Sequence, residues 1–114
     1  EALMNLATAS YLGALGTQGI RQIAELCYHK AHYLASQIAS LPNFSLPISG
    51  NFFNEFVIQC PHPPSTINQK LLEEGIIGGL DISTQIPNGM LVCATEMNSH
   101  SQIDALITVL REFS

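Results

Sequence analysis

Charge is what this sequence has least of. Of its 114 residues, 11% are Asp, Glu, Lys or Arg, where soluble domains carry roughly 25%. A chain this short has much surface for its volume, so sparse charge predicts a face covered by a partner chain or a further domain. A surface dressed in Ser, Thr, Asn and Gln is the plainer alternative. Positive charge is scarcest of all: Arg21, Lys30, Lys70 and Arg111 make up the whole set, and the net charge is −5. They are scattered, and without a basic stripe no nucleic-acid partner is expected. Long apolar runs are missing too. None approaches the roughly 18 residues of a membrane span, so no membrane contact is expected. The N-terminus lacks the basic residues of a signal peptide. The chain opens on Glu1 rather than Met, which predicts a processed or excised piece of something longer. Cysteines are few and odd in number: Cys27, Cys60 and Cys93. That count fits reduced thiols in the cytoplasm better than a disulfide framework. Their even spacing of 33 residues invites a repeat, but the flanking sequences reject it.

What is present is periodic. Residues 1–15 form a helical pattern through Leu3, Leu6, Ala7 and Leu15, broken by "GTQG". A second helix is predicted from about residue 18 to residue 41. Its apolar set runs Ile20, Ile23, Ala24, Cys27, Ala31, Leu34, Ala35, Ile38, Leu41 at steps of three and four, one stripe of an amphipathic helix. Pro42 and Asn43 end it. "FSLPI" is a short strand candidate with Pro47 at an edge, and Gly50 turns the chain into a longer strand over residues 52–60. After "PHPPS", Ser65 or Thr66 is placed to cap a helix reaching Glu74 with Ile67, Leu71 and Leu72 on one side. Gly75 stands where a helix-ending glycine belongs. "IIGGLDIS" is extended or loop-like, and "MLVCAT" over residues 90–95 is a compact strand. Ser99 with Gln102 has the form of a capping box for a last helix that buries Ile103, Leu106, Ile107, Leu110 and Phe113. Helices mixed with a few short strands predict an α+β domain: helices on one face of a small, largely antiparallel or mixed sheet.

Chemical motifs are weak. Cys27, His29 and His32 cluster in "CYHKAH", and "CPHP" repeats a Cys-x-His step at Cys60 and His62. Cys27 belongs to the buried stripe while His29 points about 200° away round the helix, so surface histidines and a buried cysteine are the better reading and no metal is expected. Lys30 and Lys70 read as solvated charges on polar helix faces rather than as cofactor-bearing amines, which need a desolvated pocket. "EGIIGGL" lacks the dinucleotide-binding fingerprint and reads as a flexible turn. Two polar islands remain. Asn54 and Glu55 sit inside a strand, where they point to opposite faces: Asn54 shares a row with Phe52, Phe56 and Ile58, and Glu55 with Phe53 and Val57. "ATEMN", with Thr95, Glu96 and Asn98, lies between the last strand and the last helix. Such junctions often carry binding groups; capping and dipole compensation are the structural reading of the same residues.

In order along the chain, "EALMNLA", "GTQGIRQIAELCYHKAHYLASQI", "FFNEFVI", "LLEEGIIGGLDI", "MLVCATEMN" and "QIDALITVLRE" resemble the C-terminal end of subunit 1 in the glycine cleavage system P-protein family. The specific parts are "FFNEFV", and "GIIGGL" followed by "LVC.TE.N". The resemblance implies the small C-terminal α+β domain of a fold-type-I, aminotransferase-like enzyme that uses pyridoxal phosphate. Residues 1–17 would be the linking helix from a large domain and residues 18–114 the small domain. It implies an oxidoreductase of glycine catabolism that decarboxylates glycine and passes its aminomethyl group to a lipoyl H-protein. The cofactor would be held by the partner, subunit 2, so no cofactor and no activity are expected of this chain alone. Asn54, Glu55, Thr95, Glu96 and Asn98 become candidates for an interface or for surroundings of the active site. Met97 stands where the family commonly has a basic residue. An exposed seam would let the isolated chain self-associate. A free-standing regulatory module binding a small ligand is the rival reading; it needs a pocket with convergent polar groups.

Overall fold

A computed structural model describes the backbone of residues 2–48 and 52–114, and side chains from Gly16 onward within those ranges. The apolar positions expected at Leu3, Leu6, Ala7 and Leu15, and the turn expected at Gly50, lie outside what is described. The first element is a helix, α1 (Ala2–Ala39), in which Gly16 alone leaves helical geometry, at φ 74° and ψ 178°. The break expected over four residues is therefore a kink at one. Any other residue would set a Cβ against its own backbone there.

The stripe on α1 is buried from Cys27 through Ala31, Leu34, Ala35, Ile38 and on to Leu41. Its upstream part is not: Ile23 and Ala24 are half-buried and Ile20 is exposed. The apolar face thus outruns what covers it. Pro42 disfavours helix at Leu41, and Asn43 takes a left-handed φ of 66°, so the chain turns away.

Three strands follow: β1 (Glu55–Gln59), β2 (Leu80–Asp81) and β3 (Gly89–Cys93), in the order β1-β3-β2 and antiparallel throughout. Phe56 opposes Val92 and Ile58 opposes Met90, so the even-numbered row of both strands faces one way. That row is buried with α1, with Ile67 and Leu71 of α2 (Pro64–Glu73), and with Ile103, Ile107 and Leu110 of α3 (His100–Arg111). All three helices cover one face of one sheet, the expected α+β arrangement. Each fully buried aliphatic side chain in this layer, Ile58 or Leu34 for instance, contributes roughly 1.5–3 kcal/mol.

Several boundaries differ from expectation for local reasons. β1 starts at Glu55, not Phe52, because its partner runs out: Ala94 donates its N–H to the Asn54 carbonyl at 3.1 Å, and β3 then enters a turn. Asn54 and Glu55 therefore stand at the head of the strand, not in its middle. "FSLPI" yields one bridge, Ser45 to Gln59; Pro47 has no N–H with which to extend it. α2 begins with Pro64 at its first position and has no side-chain cap. Proline suits that position, where its missing N–H is not needed, so Ser65 and Thr66 fall inside the helix. Leu72, five residues past Ile67, turns away from the core and is exposed. At the other end Gly75, φ 76°, donates to the Leu72 carbonyl while Ile76 donates to that of Leu71, the paired bonds of a Schellman ending. The glycine-rich segment beyond is pinned rather than flexible: Asn68 on α2 donates to the Gly79 carbonyl at 3.0 Å.

Candidate functional site

The second polar island is a tight turn. Asn98 Oδ1 accepts the Thr95 N–H at 2.8 Å, Thr95 Oγ1 accepts the Met97 N–H at 3.2 Å, and the Asn98 N–H returns to the Thr95 carbonyl at 3.0 Å. Thr95 and Asn98 thus satisfy each other. The predicted capping box follows directly: Ser99 Oγ accepts the Gln102 N–H, and Gln102 Oε1 accepts the Ser99 N–H.

This turn is gripped by α1. Lys30 Nζ donates to the carbonyls of Glu96, at 3.2 Å, and of Asn98. One turn away, the Cys27 thiol donates to Glu96 Oε2 at 3.1 Å. Burial pushes the Cys27 thiol pKa up, and the neighbouring Glu96 carboxylate pushes it further by holding the proton on sulfur. Lys30 is therefore not the solvated charge expected of it. Its position three residues after Cys27 puts it on the flank of the buried stripe, which was the available clue.

The first island divides. Asn54, half-buried, points its amide nitrogen towards Cys93 Sγ at 3.6 Å. Glu55 pairs with Cys93 across the ladder and is exposed on the face away from the helices. The Cys93 thiol pKa is raised by desolvation and then by the Glu55 charge. So β3 brings Asn54 and Glu55 beside Cys93, and α1 brings Lys30 and Cys27 to Glu96 and Asn98. The two groups share a strand end, and Cys93 stands near enough to add to the upward push on the Cys27 thiol.

Beside them runs a groove of about 340 Å³, lined by Ile76, Ile77, Leu106 and Ile103 with Asn98 and Gln102 as its polar members. Both amide oxygens are spent in the turn and the capping box. The groove offers no convergent polar set, and the small-ligand reading is not favoured. His32 is not a surface histidine either: it stacks between Tyr28 and Phe52, ring centroids 4.1 Å from each, and its Nε2 donates to the Phe52 carbonyl at 3.0 Å. Among the described residues no three His, Cys, Asp or Glu side chains are grouped to hold a metal. No described helix is long and apolar enough to cross a membrane.

The lysines also bear on pyridoxal phosphate, which a fold-type-I enzyme binds through a lysine. Lys30 is committed to two carbonyls, and Lys70 is on the surface 3.5 Å from Glu74. Neither fits a cofactor-bearing role.

Comparison with solved structures defines the class first. The chain superposes with TM-score 0.68 on a C-DES variant carrying glycine linked to its PLP cofactor, covering 82% of this chain and 24% of that one at 18% identity. It is the small α+β domain of the fold-type-I architecture. It superposes far better, with TM-score 0.85 at 31% identity over 93% of the chain, on an inhibitor-bound glycine decarboxylase (P-protein) of the glycine cleavage system, of which it covers 24%. Residues 1–110 match the family profile of the glycine cleavage system P-protein. A relative from Thermomicrobium roseum, a probable glycine dehydrogenase (decarboxylating) subunit 1, is 53% identical over 98% of this chain. The chain belongs to the glycine cleavage system P-protein family. It spans about a quarter of the length of that relative.

Proposed function

We propose that the chain is the small C-terminal domain of subunit 1 of a glycine dehydrogenase (decarboxylating), serving as scaffold and as an interface between domains or subunits. The observation that carries the reading is the superposition on the glycine decarboxylase over 93% of the chain. The parent enzyme uses pyridoxal phosphate, held by subunit 2, and hands the aminomethyl group of glycine to the lipoyl H-protein in the cytoplasm. This chain supplies no cofactor lysine and turns over nothing by itself. Residues 1–17 are the link to the large domain, which fits the kink at Gly16, and residues 18–114 are the domain proper. Asn54, Glu55, Thr95, Glu96 and Asn98 border the seam with the rest of the enzyme.

Two measurements test this. An antibody against the chain, used on native extract, is expected to recover an antigen several-fold larger than 12.4 kDa together with a second subunit carrying pyridoxal phosphate. A natural protein of this size travelling alone overturns it. In the reconstituted enzyme, Asn54→Leu and Glu55→Gln are expected to impair assembly or glycine turnover. If both leave assembly and turnover intact, those two residues do not sit at the seam.

A further inference from the structure

Asn88 is the one asparagine of the chain followed by glycine, and the fold demands each residue for its own reason. The Gly89 N–H closes a turn on the Ile86 carbonyl at 2.7 Å. The central residues of that turn are Pro87 and Asn88, and Asn88 has a φ of 55°. Proline first and a positive φ second mark a type II turn, where asparagine is tolerated. At Gly89 an added Cβ would lie 2.8 Å from both the Ile86 carbonyl oxygen and Ile86 Cβ, so glycine alone fits. Together the two residues make a reactive pair. A glycine nitrogen carries no flanking side chain and approaches the asparagine side chain closely. Its attack forms an N–Cγ bond and breaks the bond from Cγ to the amide nitrogen, which leaves as ammonia with the proton given up by Gly89. Water then opens the cyclic imide at either carbonyl and leaves aspartate or its β-linked isomer, each with a new negative charge.

The turn that creates the pair also disarms it. The attacking nitrogen is bonded to Ile86, and Gly89 is buried. The Asn88 carbonyl accepts the Cys60 N–H and the Gly89 carbonyl accepts that of Ile82, both at 3.0 Å, while Gln59 Nε2 donates to the Pro87 carbonyl at 3.0 Å. What holds the turn is nonetheless local. β2 has only two residues, and Ser83, Thr84, Gln85 and Pro87 are exposed. Such a segment opens more readily than the core. We propose that Asn88–Gly89 is a modification site, closed to succinimide formation in the folded domain and deamidated through local opening of the β2–β3 turn. The β-linked product routes the chain through the former side chain and adds a backbone carbon before Gly89. The Cys60 and Ile86 bonds then cannot both re-form, and the pairing of Gly89 with Gln59 is lost. The inference does not use the glycine dehydrogenase reading and stands if that reading fails.

The test holds the full-length protein at mildly alkaline pH, with and without urea, and follows the Asn88 peptide by mass and by chromatographic separation of the two acids. Conversion at least about tenfold slower without urea is expected; equal rates overturn the proposal. The suppression should be of the same order as the protection of the Gly89 amide in hydrogen exchange, because the same opening frees the nitrogen for both. Conversion much faster than that opening permits means that the Ile86 bond does not gate the attack; much slower means that the whole domain must unfold. Either overturns the proposal. Gln59→Ala removes the side-chain hold on Pro87 and should speed native conversion about twofold to tenfold, the effect of one hydrogen bond on the opening equilibrium. Lys70→Met should leave it unchanged. An unaltered rate in folded Gln59→Ala, or an equal gain in Lys70→Met, overturns the turn as the gate. If Gln59→Ala misfolds, the match with hydrogen exchange in the unsubstituted protein decides alone.

Discussion

Replacing Lys30 with Met separates the two lysines that composition treats alike. The methionine keeps most of the aliphatic stem, so packing along α1 is largely preserved. What is lost is the ammonium that donates to the Glu96 and Asn98 carbonyls. A hydrogen bond to a charged group contributes about 1.5–3 kcal/mol, and two on a half-buried side chain, partly replaced by water, amount to about 2 kcal/mol. For a domain of this size that is a fall in melting temperature of roughly 5–10 °C. The comparison is Lys70→Met. Lys70 pairs with Glu74 one turn along α2, both substantially exposed, and such pairs contribute at most about 0.5 kcal/mol. Calorimetry on the two variants should therefore show a large shift for Lys30 and a negligible one for Lys70. Hydrogen exchange should place the loss at Glu96 to Asn98, with the amides of α2 unchanged. Equal shifts for the two lysines would refute the grip of α1 on the turn.

Gly79→Ala would set a Cβ 2.4 Å from the Leu91 carbonyl oxygen; because backbone must move, a loss of about 1–3 kcal/mol is expected in urea unfolding, with β2 the first element to lose exchange protection. Ser99→Ala removes one half of the capping box and should cost about 1 kcal/mol in the same assay, while Ser101→Ala, one turn position inside α3, should cost much less. Burial raises the Cys60 pKa from 9.0 to about 11. The folded state thus favours the neutral thiol, and this stabilisation is complete below pH 9 and lost as pH climbs towards 11; of the order of 1–3 kcal/mol should disappear over that window. Cys60→Ala should flatten that part of the stability–pH curve, and an unchanged slope would dissociate Cys60 from the alkaline loss.

Features with local causes could be read from the sequence. The capping box of α3 needs only Ser99 and Gln102, three residues apart, and the Schellman ending of α2 needs only Gly75 after an apolar helix. The apolar run of β3 was equally plain. Where two local signals compete, the sequence is ambiguous: Pro64 and Ser65 can each start a helix, and the fixed φ of proline won. The length of β1 was illegible because it depends on where β3 stops, more than thirty residues later. The candidate site shows the same division. Thr95 and Asn98 were identified as polar residues at a strand–helix junction, and their mutual bonding follows from nearness in the chain. Cys27 was read only as a buried cysteine and Lys30 as a solvated charge because their partners, Glu96 and Asn98, lie 66 to 69 residues away, and only tertiary packing joins them. Asn54 and Glu55 were identified as a pair, but the residue both stand beside, Cys93, is brought to them only by the pairing of β1 with β3.

The single non-helical residue in α1 has a mechanical consequence. Fourteen residues precede it in the helix, a rod of about 21 Å at 1.5 Å per residue. Two dihedral angles at Gly16 set the bearing of that whole rod relative to everything downstream. A change of 10° there carries the far end through about 4 Å, comparable to the spacing of neighbouring strands. Where this segment points is therefore decided by one atom that glycine lacks, and an alanine at this position, whose Cβ would meet no packed neighbour within 4 Å, would re-aim the fourteen residues before it.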